Sequence, residues 1–299
     1  MRFSVWPGAA QPWPELLELA RHTDDGFWHA IYVADHFMGN GSGPPYMLEA
    51  TGVLAALAAS TSRLRLANLV LSMTYRHPAV LANTAATIDQ VSNGRLTLGL
   101  GAGWQVNEHE QYGIDLGAPR ERVDRFAEGL AVLTGLLTQP VTSFDGRYYR
   151  LTDAVCEPKP VQSPLPVLIG AAGPRMLGLV ARHAQQWNHW SAPGSFTETA
   201  ALLDAACERV GRDPATVWRS TQALVIVTDT PEEESRARAT ADKVPMPVVH
   251  GSAARIADEM ARWRDEGVDE IIIPDRAMPG GQQRLDAYDA LAAALGPLA

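Results

Sequence analysis

Short apolar, β-rich runs alternate along this chain with amphipathic stretches of helical period, the signature of a parallel α/β fold. Arg2–Pro7 reads as a first strand and Pro14–His22 as the helix behind it. Ala30–Ala34 is a second strand that runs into Asp35-His36. Leu48–Ser60 predicts a helix, Leu64–Ser72 a strand, Pro78–Val91 a helix, and Arg95–Gly101 a strand entering a glycine-rich segment. Beyond Pro119, apolar residues from Val123 to Leu137 recur at helical spacing. Val141–Leu151 predicts a hairpin turning at Asp145-Gly146, a two-residue turn signal. Pro166–Gly170, Gln186–Trp190, Trp218–Val227 and Glu270–Pro274 supply four more strands, with helices at Pro174–His183 and Ala253–Arg264. Lys243–Gly251, carrying Pro245 and Pro247, reads as an insertion loop, either a cover for a site or a plain connection.

Eight strands with helices between them favour closure over an open sheet, because right-handed crossovers repeated eight times complete a ring. The expectation is one (β/α)₈ TIM barrel with loop insertions, a single domain over residues 1–299 with no polar linker to divide it. That length is ordinary for a barrel. Composition adds little to this picture but removes several alternatives. A net charge of −9 and no run of five basic residues speak against a nucleic-acid or membrane surface. Cys156 and Cys207 lie far apart without metal spacing and read as reduced thiols. The chain reaches Pro7 before a signal-type apolar region could form, and stretches such as Val53–Ala59 are too short to span a bilayer. A cytoplasmic location and a small-molecule substrate are the expectations, with a homodimer left open.

Barrel enzymes carry their chemistry at the C-terminal ends of the strands. Here those ends read Asp35-His36, Asn68–Tyr75, Gly101-Ala102-Gly103-Trp104 with Asn107 beyond, Gly170-Ala171-Ala172-Gly173-Pro174, and Asn188-His189-Trp190. Small turns, histidines and tryptophans suit a planar ligand bearing a phosphate. No HExxH cluster predicts a metal, and no GxSxG elbow predicts a serine nucleophile. In the Gly170–Pro174 turn, Pro174 fits the first helical position and the following amides form an anion site, unless the turn is only a tight connection. Asp35-His36 is either a ligand-facing pair or a hydrogen-bonded strand cap. His77 before Pro78 reads as a helix start, and Trp104 reads as a core aromatic if the glycines around it are ignored.

The ordered set of these segments resembles luciferase-like oxidoreductases, above all the branch that uses the deazaflavin coenzyme F420. Tyr75-Arg-His-Pro-Ala-Val-Leu-Ala-Asn and Ile88-Asp-Gln-Val-Ser-Asn-Gly-Arg-Leu-Thr-Leu-Gly-Leu-Gly-Ala-Gly-Trp104 carry the strongest likeness. Val33–Phe37, Tyr148–Leu151, Ile169–Arg175 and Gly267–Pro274 follow in the expected order. The resemblance implies that Asp35 and His36 approach the deazaflavin ring, with His36 at its reactive face as the catalytic residue. It implies a non-proline cis peptide at Asn68–Leu69 against the ring, a cofactor contact at Asn107, and a phosphate turn at Gly170, Ala171, Ala172 and Gly173. Trp104, His189 and Trp190 would shape the substrate pocket. The sugar-phosphate dehydrogenases of this branch carry a glutamate acid where Trp104 stands and a lysine near Ser191–Pro193, and neither is present. Hydride exchange between F420 and a small organic substrate is therefore the leading expectation. FMN in a monooxygenase and a noncatalytic flavin-binding barrel are the alternatives.

Overall fold

The computed structural model describes residues 1–40, 46–228, 230–244, 246–276 and 278–299. Eight parallel strands close into a ring. They are β1 (Arg2–Trp6), β2 (Ala30–Val33), β3 (Arg65–Asn68), β4 (Leu96–Gly101), β5 (Val167–Gly170), β6 (Gln186–Asn188), β7 (Trp218–Gln222) and β8 (Glu270–Pro274). Each pairs with its neighbour in chain order, and β8 closes onto β1 through Arg2↔Glu270 to Trp6↔Pro274. The strands are short because only their apolar core, buried on both faces, needs the ladder; β2 is buried at every position.

Ten helices are described, in chain order: α1 (Trp13–Asp24), α2 (Ala50–Ser60), α3 (Pro78–Val91), α4 (Val106–Tyr112), α5 (Pro119–Thr138), α6 (Pro174–His183), α7 (Phe196–Arg209), α8 (Pro231–Ala241), α9 (Ala253–Asp265) and α10 (Gln282–Leu295). Proline at the first helical turn starts α3, α5, α6 and α8, where a missing N–H costs nothing. Apolar faces of the helices pack on the outside of the ring in one continuous core, from Phe3 and Leu57 to Trp263 and Tyr288. Ala30, Tyr32, Ala67, Leu168 and Ile272 fill the inside as a separate cluster.

Three expectations need correcting. Trp218–Val227 is not one strand: Gln222 ends β7, and Leu224–Val227 leaves the barrel to pair in parallel with Val248–Gly251. The predicted loop at Lys243–Gly251 therefore contains a strand, made by the β-branched Val248 and Val249; its Pro245 lies outside the described residues. Asp145 pairs with Arg150 and Gly146 N donates to Tyr149 O at 2.9 Å, so the hairpin tip lies at Arg147-Tyr148, two residues later than Asp145-Gly146. Glu128 of α5 holds it there, its carboxylate accepting the amides of Arg147, Tyr148 and Tyr149 at 3.0, 2.8 and 3.3 Å.

Candidate active site

At the C-terminal ends of the strands a cleft of about 1000 Å³ opens, large enough for a cofactor and a small substrate together. Its first wall comes from the end of β3. Asn68 turns its side chain sideways, donating to Gly99 O and accepting Gly99 N at 3.3 Å, which locks β3 to β4. The ladder continues one residue further, with Leu69 N on Val33 O at 3.0 Å. The cis peptide follows at Leu69–Val70, one bond later than expected, because Leu69 is still held as a strand residue. Leu69 and Val70 face the cleft, and the chain regains pairing with β4 at Leu71–Ser72. Glycine in β4 makes this possible. A Cβ at Gly99 would sit 1.9 Å from Asn68 O, and one at Gly101 would sit 2.7 Å from Val70 Cγ2.

Beside this shelf lies a polar cluster. His36 lines the cleft with its Nδ1 on Glu108 Oε1 at 2.8 Å. Glu108, on α4, is fully buried; its Oε2 accepts Phe37 N at 2.9 Å and its Oε1 also accepts the Tyr75 hydroxyl. Phe37 N and the Tyr75 hydroxyl both donate to Glu108, and with the carboxylate accepting in the same way from His36 Nδ1–H, Nε2 is left for the cleft. Burial and the Glu108 charge push the Tyr75 phenol well up, so it remains a neutral donor. Asp35 lines the cleft, yet its oxygens are occupied by Arg76 at 2.7 and 2.7 Å and by Ser72 N at 2.8 Å. It ties the end of β2 to the segment after β3. Behind Ser72 runs a chain from Ser72 Oγ to Thr74 Oγ1 (2.6 Å), to His109 Nε2 (2.7 Å), and from His109 Nδ1 to Gln105 O (2.6 Å).

The opposite wall joins β5, β6 and β7. Gly170, Ala171 and Ala172 line it, while Gly173 stands just behind as the residue capping α6. No side chain caps that helix, and a Cβ on Gly173 would meet nothing within 4 Å, so the protein's own packing does not demand glycine there. Trp187 holds the turn through Nε1 to Ala171 O at 2.9 Å, and His189 stacks on Trp187 at 5.7 Å. Burial pushes the His189 imidazole down, so it is neutral near pH 7. Trp104 and Trp190 stand at the mouth, 58% and 42% exposed, which makes Trp104 a mouth residue and no part of the core.

Nine of the twelve expected site residues share this cleft; Asn68, Asn107 and Gly173 do not line it. Asn107 instead donates to Gly39 O at 3.2 Å, and its Oδ1 has no partner among the described residues. His77 accepts Ala79 N at 3.2 Å, as expected of a helix start. Glu108, Gln222 and Arg276 also line the cleft and were missed. Arg276, after β8, is the one arginine or lysine of the lining and makes no ion pair with a described residue. Glu108 is flanked on α4 by Asn107, His109, Glu110 and Gln111, so its local sequence carries no hint of a buried carboxylate.

Residues 1–293 match the family model for luciferase-like monooxygenases. This chain belongs to that family. Among curated luciferase-like relatives, an F420-dependent glucose-6-phosphate dehydrogenase of Amycolatopsis mediterranei is 32% identical over 198 residues, covering 65% of this chain and 58% of that one. The pyrimidine monooxygenase RutA of Cronobacter sakazakii is also 32% identical over 198 residues, covering 64% and 56%. The matched part thus spans a little over half of either relative. In fold, the F420-dependent tetrahydromethanopterin reductase of Methanopyrus kandleri superposes with a TM-score of 0.80 at 17% identity, covering 99% of this chain and 98% of that one. Family membership makes the chain an enzyme of the oxidoreductase and monooxygenase kind, which sets the noncatalytic barrel aside.

Proposed function

We propose that this luciferase-like enzyme uses coenzyme F420 to exchange a hydride with a small organic substrate. The observation that carries the reading is the pairing of an apolar Leu69–Val70 shelf with a His36 imidazole whose Nδ1 is bound by buried Glu108. The residues fit a flavin-type group. Glycines at 99 and 101 let the shelf lean across β4, and the uncapped amides of α6 suit a phosphate. When bound, the deazaflavin supplies the two-electron hydride chemistry.

The residues supply the rest. Leu69 and Val70 offer one face to a ring, and the backbone turn at Gly170–Ala172 gives room for close approach. His36 Nε2 takes the proton of a substrate hydroxyl or, in the reverse direction, gives a proton back to the substrate oxygen, while Glu108 holds Nδ1 and fixes the orientation of the ring. Trp104, packed edge-on against His36 at 5.6 Å, and Trp190 narrow the mouth and exclude water. An indole does not donate a proton at neutral pH, so any acid–base role rests with His36. Small alcohols or carbonyl compounds suit this set better than sugar phosphates do.

A second reading, FMN-dependent oxygenation, is favoured by the equal identity to the pyrimidine monooxygenase. Equilibrium titration with F420 and with FMN, followed by stopped-flow mixing with oxygen, separates the two. Tight F420 binding without rapid reoxidation supports hydride exchange. Micromolar FMN binding with oxygen-dependent turnover overturns it in favour of the monooxygenase.

A further inference from the structure

The wall facing the Leu69–Val70 shelf ends in carboxamides. β7 stands four strands from β3 around the ring. Asn188 ends β6 and Gln222 ends β7, and both line the cleft. The Asn188 amide is fixed, its Nδ2 donating to Ser220 Oγ at 3.0 Å. Gln222 is not. It is 1% exposed, and its Oε1 has no hydrogen-bond partner among the described residues. No hydrogen bond joins its Nε2 to a described residue either.

A buried carbonyl oxygen without a donor is a standing cost to the fold, tolerated where a ligand supplies the donor. An anion has no donor to give. The two carboxylates of the cleft, Asp35 and Glu108, already have their oxygens engaged, and His189 on this wall is neutral. At Gln222 the wall is therefore matched to a group that offers a donor and an acceptor side by side, whatever charge the ligand carries elsewhere toward Arg276.

We propose that Gln222 reads the amide edge of a planar heterocycle. An N–H of that edge donates to Oε1, and Nε2–H donates to the adjacent C=O. The inference rests on the cleft being the functional site. The edge has two sources, the pyrimidine side of a flavin-type ring or a cyclic amide or imide substrate.

Gln222→Met keeps the reach of the side chain and removes the amide. The test measures its affinity and that of the parent for F420, for FMN and N3-methyl-FMN, and for uracil and 1,3-dimethyluracil on the cofactor-loaded enzyme. With the cofactor as source, the parent binds FMN at least tenfold tighter than its N3-methyl form, or F420 at least tenfold tighter than the variant does. The FMN preference falls within twofold in Gln222→Met. With the substrate as source, that pattern moves to the uracil pair and leaves the cofactors untouched. Ligand-free Gln222→Met should melt no lower than the parent, and up to about 2 °C higher, because an unpartnered buried amide is gone. Equal affinities within every pair for both proteins overturn the proposal, as does a clear fall in the melting temperature, which would make the amide a packing group. If the parent binds neither cofactor, the cofactor reading fails by itself; the uracil pair, run on the ligand-free protein, still decides the role of Gln222.

Discussion

His36 meets the cleft with one nitrogen because the other is spoken for by Glu108. Loss of the ring should therefore affect turnover more than binding. His36→Ala is expected to lower turnover on the order of 100-fold, about 2.7 kcal/mol of barrier, with F420 affinity little changed. His36→Phe should be as damaging, and a Phe variant that keeps turnover would make the residue a wall of the pocket. Glu108→Gln tests the support. Its NH₂ must face either Phe37 N, which can only donate, or the side shared by His36 Nδ1 and the Tyr75 hydroxyl, so at least one present bond is lost at about 1–3 kcal/mol, read as a lower urea midpoint. It should also lower turnover, since the tautomer of His36 is no longer fixed; parental activity in a stable Glu108→Gln protein would remove Glu108 from the mechanism. Asp35-His36 was visible in the sequence as an adjacent pair at a strand end. Their partners were not: Glu108 lies 72 residues from His36, and no local spacing announces a contact made only by barrel closure.

Between strand and helix, the Gly173 turn is where chain direction and ligand binding are separable. Its backbone is extended at φ −77 and ψ 149, open to any side chain, and the capping position is empty of side-chain bonds. Gly173→Asp should therefore leave stability equal or raise it by about 0.5–1 kcal/mol as an N-cap, while weakening F420 binding by occupying the amides and opposing a phosphate. Unchanged affinity in the folded variant would move the phosphate elsewhere. Eight strand positions were legible because apolar runs and intervening helical periods are local properties. Their internal breaks were not. Leu64–Ser72 looks continuous, yet it is interrupted where Asn68 spends its side chain on Gly99. Trp218–Val227 is equally β-prone on both sides of Ala223, and only Val248–Gly251, far along the chain, decides that its second half leaves the ring. The helix α8 did carry a legible signal, the Thr230–Glu233 capping box, which went unread beside the barrel pattern.

At the scale of the whole molecule, the end of the barrel away from the cleft sets a response to acid. Burial, followed by the charges of Arg65, Arg2 and Arg63, lowers the pKa of His29 to about 4. The folded state thus binds this proton less readily than the unfolded chain does. Stability from His29 is fully present above pH ~6.5, is lost as pH falls from there, and levels off near the folded value. Partial burial holds the effect to roughly 1–3 kcal/mol. Between pH 7.5 and 4 the urea midpoint of the parent should fall relative to that of His29→Gln. Curves that stay parallel would mean His29 titrates alike in both states. Buried Glu270 has the opposite sign, its pKa raised by burial, and is common to both proteins, so the comparison cancels it. No helix among the described residues is long and apolar enough to cross a membrane.

The two glycines of β4 differ in what they permit to a diverging lineage. At Gly99 the obstacle is a neighbour's main chain, Asn68 O, which no side-chain substitution elsewhere removes. At Gly101 the obstacle is a side chain, Val70 Cγ2, and Val70→Ala takes it away. Gly101→Ala should then be damaging alone but tolerated after Val70→Ala, a dependence on order that a thermal double-mutant cycle measures directly. The route by which such a cleft can be reshaped therefore runs through position 70 before it can run through position 101.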